Sequence, residues 1–472
     1  MEQGTIVLLT LVVYKAILLG IGVVAERRTK NEADFLIGGR ALGPLVAAIS
    51  ASASSSSVWT LLGVSGYAYA NGLSALWLLP ACIGGFALNW FAIAPRLRRQ
   101  ALTSGALTLT DFLAGPRRGR GFAAARWTAC AILLISLTGY VAQQFNGAGR
   151  SLEENFGLPL DTSILLGGAI VLLYTLLGGF WAVSLTDTLQ GLLMAGTAVL
   201  LPVAALIAVG GFEPLASGIH SAGPDFASLW PTGSRPGGVT IAILLAIGAG
   251  YPGQPHVVNR FMALRDEAAL RAARRYALAW AVLVYAGMVL LGLCARVMFA
   301  DAEMEQDIVF FAAMGKLFSP VITGILLAAV LSAVMSTADS QLLVAASAVS
   351  HDLGFGRGDP RTALWRSRGV VTAVGAAAVA AAMLGSKEIF DSVLIAWTAI
   401  GAAFGPLLLV TLWRGPVGPR RTLVAMLVGF GTTAIGFALP ATRGGWVERL
   451  LPYALAFAVL LPVTGSPRRP RP

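Results

Sequence analysis

Apolar segments long enough to cross a lipid bilayer follow one another along nearly the whole chain. A transmembrane α-helix needs about 20 apolar residues, and lipid leaves helices as the simplest way to satisfy backbone polar groups. We number the predicted spans in chain order: 5–25, 42–70, 73–95, 122–148, 162–181, 187–209, 238–259, 274–297, 317–349, 367–385, 389–413, 421–440 and 447–464. The sequence therefore predicts an all-α polytopic membrane protein, folded as a single transmembrane domain over residues 1–472.

The composition supports burial in lipid. Hydrophobic residues make up 56% of the 472 residues and charged residues only 12%, more apolar surface than a water-soluble domain can hide. The net charge of +11 is spread over short basic clusters between the spans. We therefore expect the partners to be the bilayer and a small solute, and we do not expect nucleic-acid binding.

The basic clusters also predict an orientation. They lie in alternate loops, beginning with Arg27, Arg28 and Lys30 after the first span and ending in the C-terminal tail. Cytoplasmic loops are rich in Lys and Arg. We expect a protein of the cell membrane with its N-terminus outside and its C-terminus in the cytoplasm. The first span is expected to be a retained helix and not a cleaved signal peptide.

Two spans carry residues that interrupt helices. The second contains six serines in residues 50–57, and the seventh ends with two prolines and three glycines in residues 248–256. Interrupted helices in corresponding positions of two halves point to a transporter's binding site. We predict two five-helix repeats, at 42–209 and 238–413, with peripheral helices at 5–25, 421–440 and 447–464.

The ninth span carries a polar face. Ala333, Ser336, Thr337 and Ser340 follow the spacing i, i+3, i+4, i+7, so they share one side of a helix, and Asp339 lies beside them. Hydroxyl and carbonyl oxygens are suitable ligands for sodium, a hard cation. The alternative is that these small residues only allow close helix packing. An ionisable group inside a span favours the ion site.

Two further charged residues have open interpretations. Asp187, with Gln190 three residues later, resembles a capping box at the start of the sixth span, and a functional role is the alternative. Lys15 lies inside the first span, where it either snorkels toward an interface or meets a buried partner.

No enzymatic motif is found. The three cysteines and three histidines are scattered, without metal-ligand spacing, and no ATP-binding Gly-rich loop occurs. We expect no enzyme activity and no organic cofactor.

Three motifs resemble those of the sodium:solute symporter family, most closely its sodium/proline symporter branch. They are residues 178–190 (GGFWAVSLTDTLQ), 250–262 (GYPGQPH followed by RFM) and 334–343 (VMSTADSQLL). The resemblance runs from Gly38 to about residue 430. It implies a LeuT-type core of inverted repeats that carries sodium together with a solute.

The resemblance also implies site residues. It places sodium at Ala53, Ser56, Ala333, Ser336 and Thr337. Asp187 matches a functionally important acid, and a second sodium or coupling group is implied at Asp187, Ser336, Asp339 and Ser340. The implied solute pocket contains Ser55, Ser57, Trp59, Tyr140, Gln144, Ile247, Tyr251 and Pro255. The proline branch has an aspartate at the position of Ser55 and a tryptophan at that of Ile247, whereas Tyr140, Tyr251 and Pro255 match.

These observations predict a sodium-coupled symporter that imports proline or another amino or carboxylic acid by alternating access. A solute sensor acting through a partner, and a carrier coupled to protons, are the alternatives. The low charge content leaves little room for a signalling domain, which favours the carrier.

Overall fold

The computed structural model describes residues 3–26, 32–114, 120–176, 179–231, 235–300, 302, 304–355, 360–386 and 388–461. These residues form helices and connecting loops, and the β-structure among them is one isolated bridge between Leu42 and Leu264. The all-helical prediction is confirmed.

The helices follow the predicted spans closely. Their bounds, in span order, are Gln3–Glu26; Pro44–Ser55 with Val64–Asn71; Leu78–Ala87 with Ala94–Ser104; Arg120–Phe156; Leu160–Thr175; Phe180–Val209; Gly237–Ala249 with Pro255–Ala263; Glu267–Met298; Pro320–Ser347; Pro360–Leu384; Ile389–Arg414; Pro419–Ala438; and Trp446–Arg449 with Leu451–Leu460. Shorter helices in the loops include Glu32–Ile37, Leu109–Ala114, Phe212–Ser221 and Val309–Leu317.

The number of membrane crossings stays a prediction. Within the described part of the chain, nine helical segments are long and apolar enough to cross a membrane, and the bent seventh span would be a tenth. The helices Pro44–Ser55 and Leu160–Leu173 are apolar but shorter. Two of the predicted crossings thus contain helices below the usual spanning length.

Both predicted interruptions are present. In the second span the first helix ends at Ser55, and Ser56 has φ −117° and ψ 77°, outside the helical region. A π-helical turn, Trp59–Gly63, then leads into the second helix. In the seventh span the two helices meet at 47°, around extended backbone at Gln254. These breaks free backbone groups near the middle of the bundle.

The sixth span begins earlier than predicted, which corrects the reading of Asp187 as a cap. Its helix starts at Phe180 after the extended residue Gly179, so Asp187 lies two turns inside it. Its carboxylate bonds to side chains of other spans instead of the first-turn backbone. The local resemblance to a capping box was misleading because tertiary partners satisfy this acid.

The ninth and eleventh spans lie at the centre of the bundle. In the most apolar 18-residue window of each span, 83% of the ninth and 89% of the eleventh are buried inside the protein, compared with 17% of the first. The first helix of the second span packs against the sixth, eighth and ninth spans. The interrupted second span is therefore surrounded by protein, the setting in which broken helices are tolerated at membrane depth.

Candidate ion and solute site

Oxygen atoms of the second and ninth spans converge where the second span is interrupted. The Ser336 hydroxyl lies 3.4 Å from the Ala53 carbonyl oxygen and 3.3 Å from that of Ala333. The Thr337 hydroxyl lies 3.3 Å from the Ser54 carbonyl oxygen. All these residues are fully buried. Neutral hydroxyl and carbonyl oxygens from two helices thus form a compact group able to replace the water around a small monovalent cation.

The sequence analysis named Ser56 as a sodium ligand at the break, whereas it is Ser54 that contacts the ninth span. Ser56 is at the break, and its hydroxyl hydrogen-bonds to the Tyr285 hydroxyl at 3.2 Å. The Ser54 carbonyl is the one that meets Thr337. A run of four serines gives no local signal to distinguish these carbonyls, so Ser54 was missed.

Asp187 is the acceptor of a buried hydrogen-bond network. Its Oδ2 accepts from the Ser50 hydroxyl at 2.8 Å, from Ser54 at 3.2 Å and from Ser340 at 3.4 Å. It also forms an ion pair with Arg260 Nη2 at 2.8 Å, and both side chains are at most 3% exposed. The network brings Asp187 and Ser340 together, as predicted, but adds an arginine.

Arg260 is the residue that sequence reasoning did not place in the site. Its Nη2 donates to Ser340 Oγ at 2.6 Å as well as to Asp187, and its Nε donates to Ser50 Oγ at 2.8 Å. A guanidinium suits such a site because its donors form a planar fork. Arg260 is part of the 250–262 motif, but an arginine at the end of an apolar span equally indicates a loop, so no role in the site was predicted for it.

Asp339 lies next to this network without joining its hydrogen bonds in the described structure. Its Oδ1 accepts the backbone N–H of Ser340 at 2.7 Å, and its Oδ2 has no hydrogen-bond partner among the described residues. Asp339 is fully buried and repelled by the negative charge of Asp187. Lys15 and Arg260 are the positive charges that attract it.

Predicted solute residues surround the break of the second span. The Tyr140 hydroxyl donates to Ser57 Oγ at 3.4 Å, and Gln144 Oε1 accepts the Val58 backbone N–H at 3.2 Å. The ring of Trp59 lies edge-on to that of Tyr285, with centroids 6.5 Å apart. The fourth and eighth spans thus enclose the unwound residues.

Several buried side-chain nitrogens in this region have no hydrogen-bond partner in the described part of the chain. They are Trp59 Nε1, Gln144 Nε2 and both ring nitrogens of His256. The His256 ring lies against that of Tyr140, with centroids 6.3 Å apart. Because buried polar groups usually find partners, these atoms are suited to a polar solute.

The seventh span contributes from the other side. The Tyr251 hydroxyl hydrogen-bonds to that of Tyr285 at 2.8 Å, and its ring packs edge-on against Trp397 at 4.7 Å. The Ile247 carbonyl accepts from Trp397 Nε1 at 3.0 Å. Pro255 opens the helix after the bend. The indole of Trp397, from the eleventh span, therefore lies beside Ile247, the position at which the proline branch has a tryptophan.

Ser55 is placed differently from the other predicted solute residues. Its hydroxyl donates to the Ser52 carbonyl at 2.9 Å, within its own helix. Such a bond is the ordinary behaviour of a helical serine. The structure thus brings Ser57, but not the Ser55 hydroxyl, to Tyr140.

A cavity of about 670 Å³ lies at the end of the bundle predicted to face outward. Phe390 lies in its wall and stacks on Tyr67 at 4.6 Å, and the Phe390 ring is 5.3 Å from that of Trp59. The rings of Phe390 and Trp59 thus lie between the cavity and the break at Ser56. In the loops at this end, burial raises the pKa of Asp307 to about 6 and also raises the pKa of Glu388.

At the opposite end of the bundle, arginine side chains and backbone hydrogen bonds join the helix ends. Arg40 Nη1 donates to the Met262 carbonyl at 3.2 Å, and Arg98 Nε donates to the Leu264 carbonyl at 3.0 Å. Backbone bonds join Leu42 to the neighbouring end of the seventh span. The two interrupted spans are therefore pinned together on the side predicted to be cytoplasmic.

Comparison with known proteins gives consistent matches. The protein-family model described as "Sodium:solute symporter family" matches residues 35–429. An osmoregulated proline transporter of Bacillus subtilis is 36% identical, covering 94% of this chain and 92% of the relative. A sodium/proline symporter of Escherichia coli is 35% identical, covering 92% and 88%.

Solved structures show the same fold. A Na⁺-coupled sialic acid symporter in a substrate-bound outward-open state superposes with a TM-score of 0.81 at 18% identity, covering 97% of each chain. Mhp1, a nucleobase-cation-symport-1 family transporter in a closed conformation, gives a TM-score of 0.56 at 14% identity, covering 92% of this chain and 95% of that one.

Proposed function

Because the chain belongs to the sodium:solute symporter family, we propose that it imports a small amino acid together with sodium, with L-proline as the first candidate. Sodium-coupled symport of a small solute across the cell membrane is its function, and it is a transporter and not an enzyme. The choice of proline rests on relatives that are named for proline transport.

The sodium ion binds between the second and ninth spans. The observation that carries this proposal is the approach of the Ser336 and Thr337 hydroxyls to carbonyls beside the break. Ala53, Ser54, Ala333, Ser336 and Thr337 supply the oxygens, and the backbone of Ser56 shapes the break. A site of neutral oxygens binds sodium weakly enough to release it.

The solute binds beside the ion, among the tyrosines and the unpartnered donors. Ser57, Trp59, Tyr140, Gln144, Ile247, Tyr251 and Pro255 line the pocket, with Ser55 on the adjoining helix turn. The donors of Trp59 and Gln144 suit a carboxylate. The aromatic rings of Tyr251 and Trp397 provide an apolar wall for a compact side chain.

Transport proceeds by alternating access. Sodium and solute reach the site from the outer cavity, past Phe390 and Trp59, while Arg40 and Arg98 hold the inner end closed. Breaking those inner contacts releases both ligands to the cytoplasm. Each sodium that enters gains about 2.3 kcal/mol per 100 mV of membrane potential, enough for roughly 50-fold solute accumulation. Asp187, Asp339 and Ser340 couple the ion to this movement.

Uptake by a transport-deficient strain tests the proposal. Cells expressing the chain are given labelled amino and carboxylic acids, L-proline among them, with sodium or with choline, and with or without a protonophore at fixed sodium. We expect concentrative uptake of an amino acid only with sodium. Uptake that follows the proton gradient without sodium, or no accumulation by a well-expressed protein, would contradict the proposal.

A further inference from the structure

Lys15 lies deep in the membrane, where its charge needs a partner. It is the thirteenth residue of the 24-residue helix Gln3–Glu26, so about 16–18 Å of helix separates it from either end. This is too far for a lysine side chain to reach an interface by snorkelling. Charged groups at such depth pair inside the protein.

The structure directs Lys15 toward the ninth span. Its Nζ contacts the sulfur of Met335, and the neighbouring Tyr14 hydroxyl bonds to Ser332. Ser332, Met335 and Asp339 follow the spacing i, i+3, i+7 and share one helix face. The helices pack closely, because a Cβ added at Gly324 would lie 3.0 Å from Thr10 Cβ.

Asp339 is the buried acid on the helix face that Lys15 contacts at Met335. It is fully buried, and its Oδ2 has no hydrogen-bond partner among the described residues. It lies one turn along the helix from Met335 and attracts Lys15 electrostatically. It also lines a cavity of about 20 Å³, the size of one water molecule. The carboxylate therefore has a free oxygen with room beside it.

The protein itself supplies the positive charge that this buried group needs. Asp187 pairs with Arg260 at 2.8 Å, and Asp187, Arg260 and Lys15 all act electrostatically on Asp339. Arg368 also lies in the wall of the small cavity beside Asp339, and its Nε donates to the Leu176 carbonyl at 3.2 Å. Two carboxylates thus face at least two cations of the protein. A second sodium ion here would leave a net positive charge in a low-dielectric interior, which is costly.

We propose that Lys15 is a built-in counter-ion of Asp339 that restricts the carrier to one bound sodium ion. The inference rests on the proposed function, since it sets the ion count of the same site. The sodium position between the second and ninth spans stays as described. If the positive charge of Lys15 is removed, Asp339 becomes an uncompensated buried anion that recruits a second sodium ion.

Equilibrium binding of ²²Na⁺ to the purified protein tests this inference without any solute. We expect one sodium ion per chain in the wild type and in Lys15→Arg, and two in Lys15→Met. The double variant Lys15→Met/Asp339→Asn should return to one. Lys316→Met, at an exposed loop lysine that donates to the Met298 carbonyl, is the matched control and should bind one.

Two results would overturn the inference. Two sodium ions bound by the wild type would do so without any variant, which keeps the test decisive even where Lys15→Met misfolds. The inference would also be overturned if a folded Lys15→Met protein still binds one ion with wild-type affinity. Lys15→Gln serves as a second neutral variant for the same measurement. Failure of the proposed function is separate, because it would appear as absent solute uptake while the ion count is one.

Discussion

At the scale of single residues, Thr337 provides the sharpest test of the ion site. Its hydroxyl faces the Ser54 carbonyl across the helix interface. In the proposed site this hydroxyl contacts the sodium ion, and a contact to a charged group is worth about 1.5–3 kcal/mol. Thr337→Ala should therefore raise the sodium concentration for half-maximal uptake by about 10- to 100-fold, and Thr337→Ser should restore it.

Thr138→Ala is the matched control for that measurement. The Thr138 hydroxyl donates to the Leu134 carbonyl of its own helix at 2.7 Å, so its removal should leave sodium activation unchanged. Normal sodium activation in a well-expressed Thr337→Ala carrier would remove this residue from the site.

The ion pair of Asp187 and Arg260 predicts a change in stability. Removing one partner of a buried pair leaves an uncompensated charge and costs about 3–5 kcal/mol. Asp187→Asn should lower the thermal unfolding temperature of the purified protein strongly, whereas the exposed Asp225→Asn should shift it little. Adding Arg260→Gln to Asp187→Asn should cost less than the sum of the single changes, and strict additivity would show that the pair is not coupled.

Sequence reasoning found residues better than it found partnerships. Ser336, Thr337 and Asp339 were predicted as ion-site candidates because helical spacing places them on or beside one face of the ninth span. Arg260, Tyr285 and Trp397 were missed, because their contacts join residues of different spans and no local period reveals them. Asp187 was given a second, wrong reading as a cap for the same reason.

At the scale of helices, the third and seventh spans meet through glycine. A Cβ added at Gly85 would lie 2.2 Å from Tyr251 Cδ2 and 2.9 Å from the Gly248 carbonyl oxygen, whereas one at Gly84 would meet nothing within 4 Å. Gly85→Ala should therefore displace Tyr251, weaken the apparent solute affinity and cost about 1–3 kcal/mol of stability.

Gly84→Ala is the neighbouring control. In a helix, alanine is favoured over glycine by up to about 1 kcal/mol, so this variant should match or exceed the wild type in thermal unfolding and in uptake. Equal solute affinity in the Gly84 and Gly85 variants would show that close packing here does not position Tyr251.

The interruptions of the second and seventh spans could be predicted because they depend on local composition. Six serines, or two prolines among glycines, weaken a helix wherever it lies. The bend of 47° and the π turn after the break could not be predicted, because they depend on how neighbouring spans pack. For the same reason the sixth helix begins at Phe180 and not at 187.

At the scale of the whole molecule, Asp307 makes stability depend on pH. It is 7% exposed in a loop predicted to face outward, and its Oδ2 accepts the Ile389 backbone N–H at 3.2 Å. Burial raises its pKa from 3.8 to about 6. The folded protein thus holds this proton more tightly than the unfolded chain, so stability should rise as pH falls from about 7 to about 5, by up to about 1.4 kcal/mol per pH unit.

Thermal unfolding at a series of pH values checks this sign. The wild type should gain stability toward pH 5, and Asp307→Asn should flatten that part of the profile, while Asp225→Asn should leave it unchanged. A wild-type profile that falls between pH 7 and 5, with the same slope in Asp307→Asn, would contradict the assignment.

The central claim is that oxygens of the second and ninth spans bind the ion that drives solute import. The most direct test of this claim measures the entry of ²²Na⁺ into proteoliposomes, driven by an L-proline gradient. The wild type is compared with the double variant Ser336→Ala/Thr337→Ala. We predict proline-driven sodium entry in the wild type and its loss at low sodium in the double variant. A double variant that is reconstituted equally well and carries as much sodium per proline at the same low sodium concentration would contradict the account.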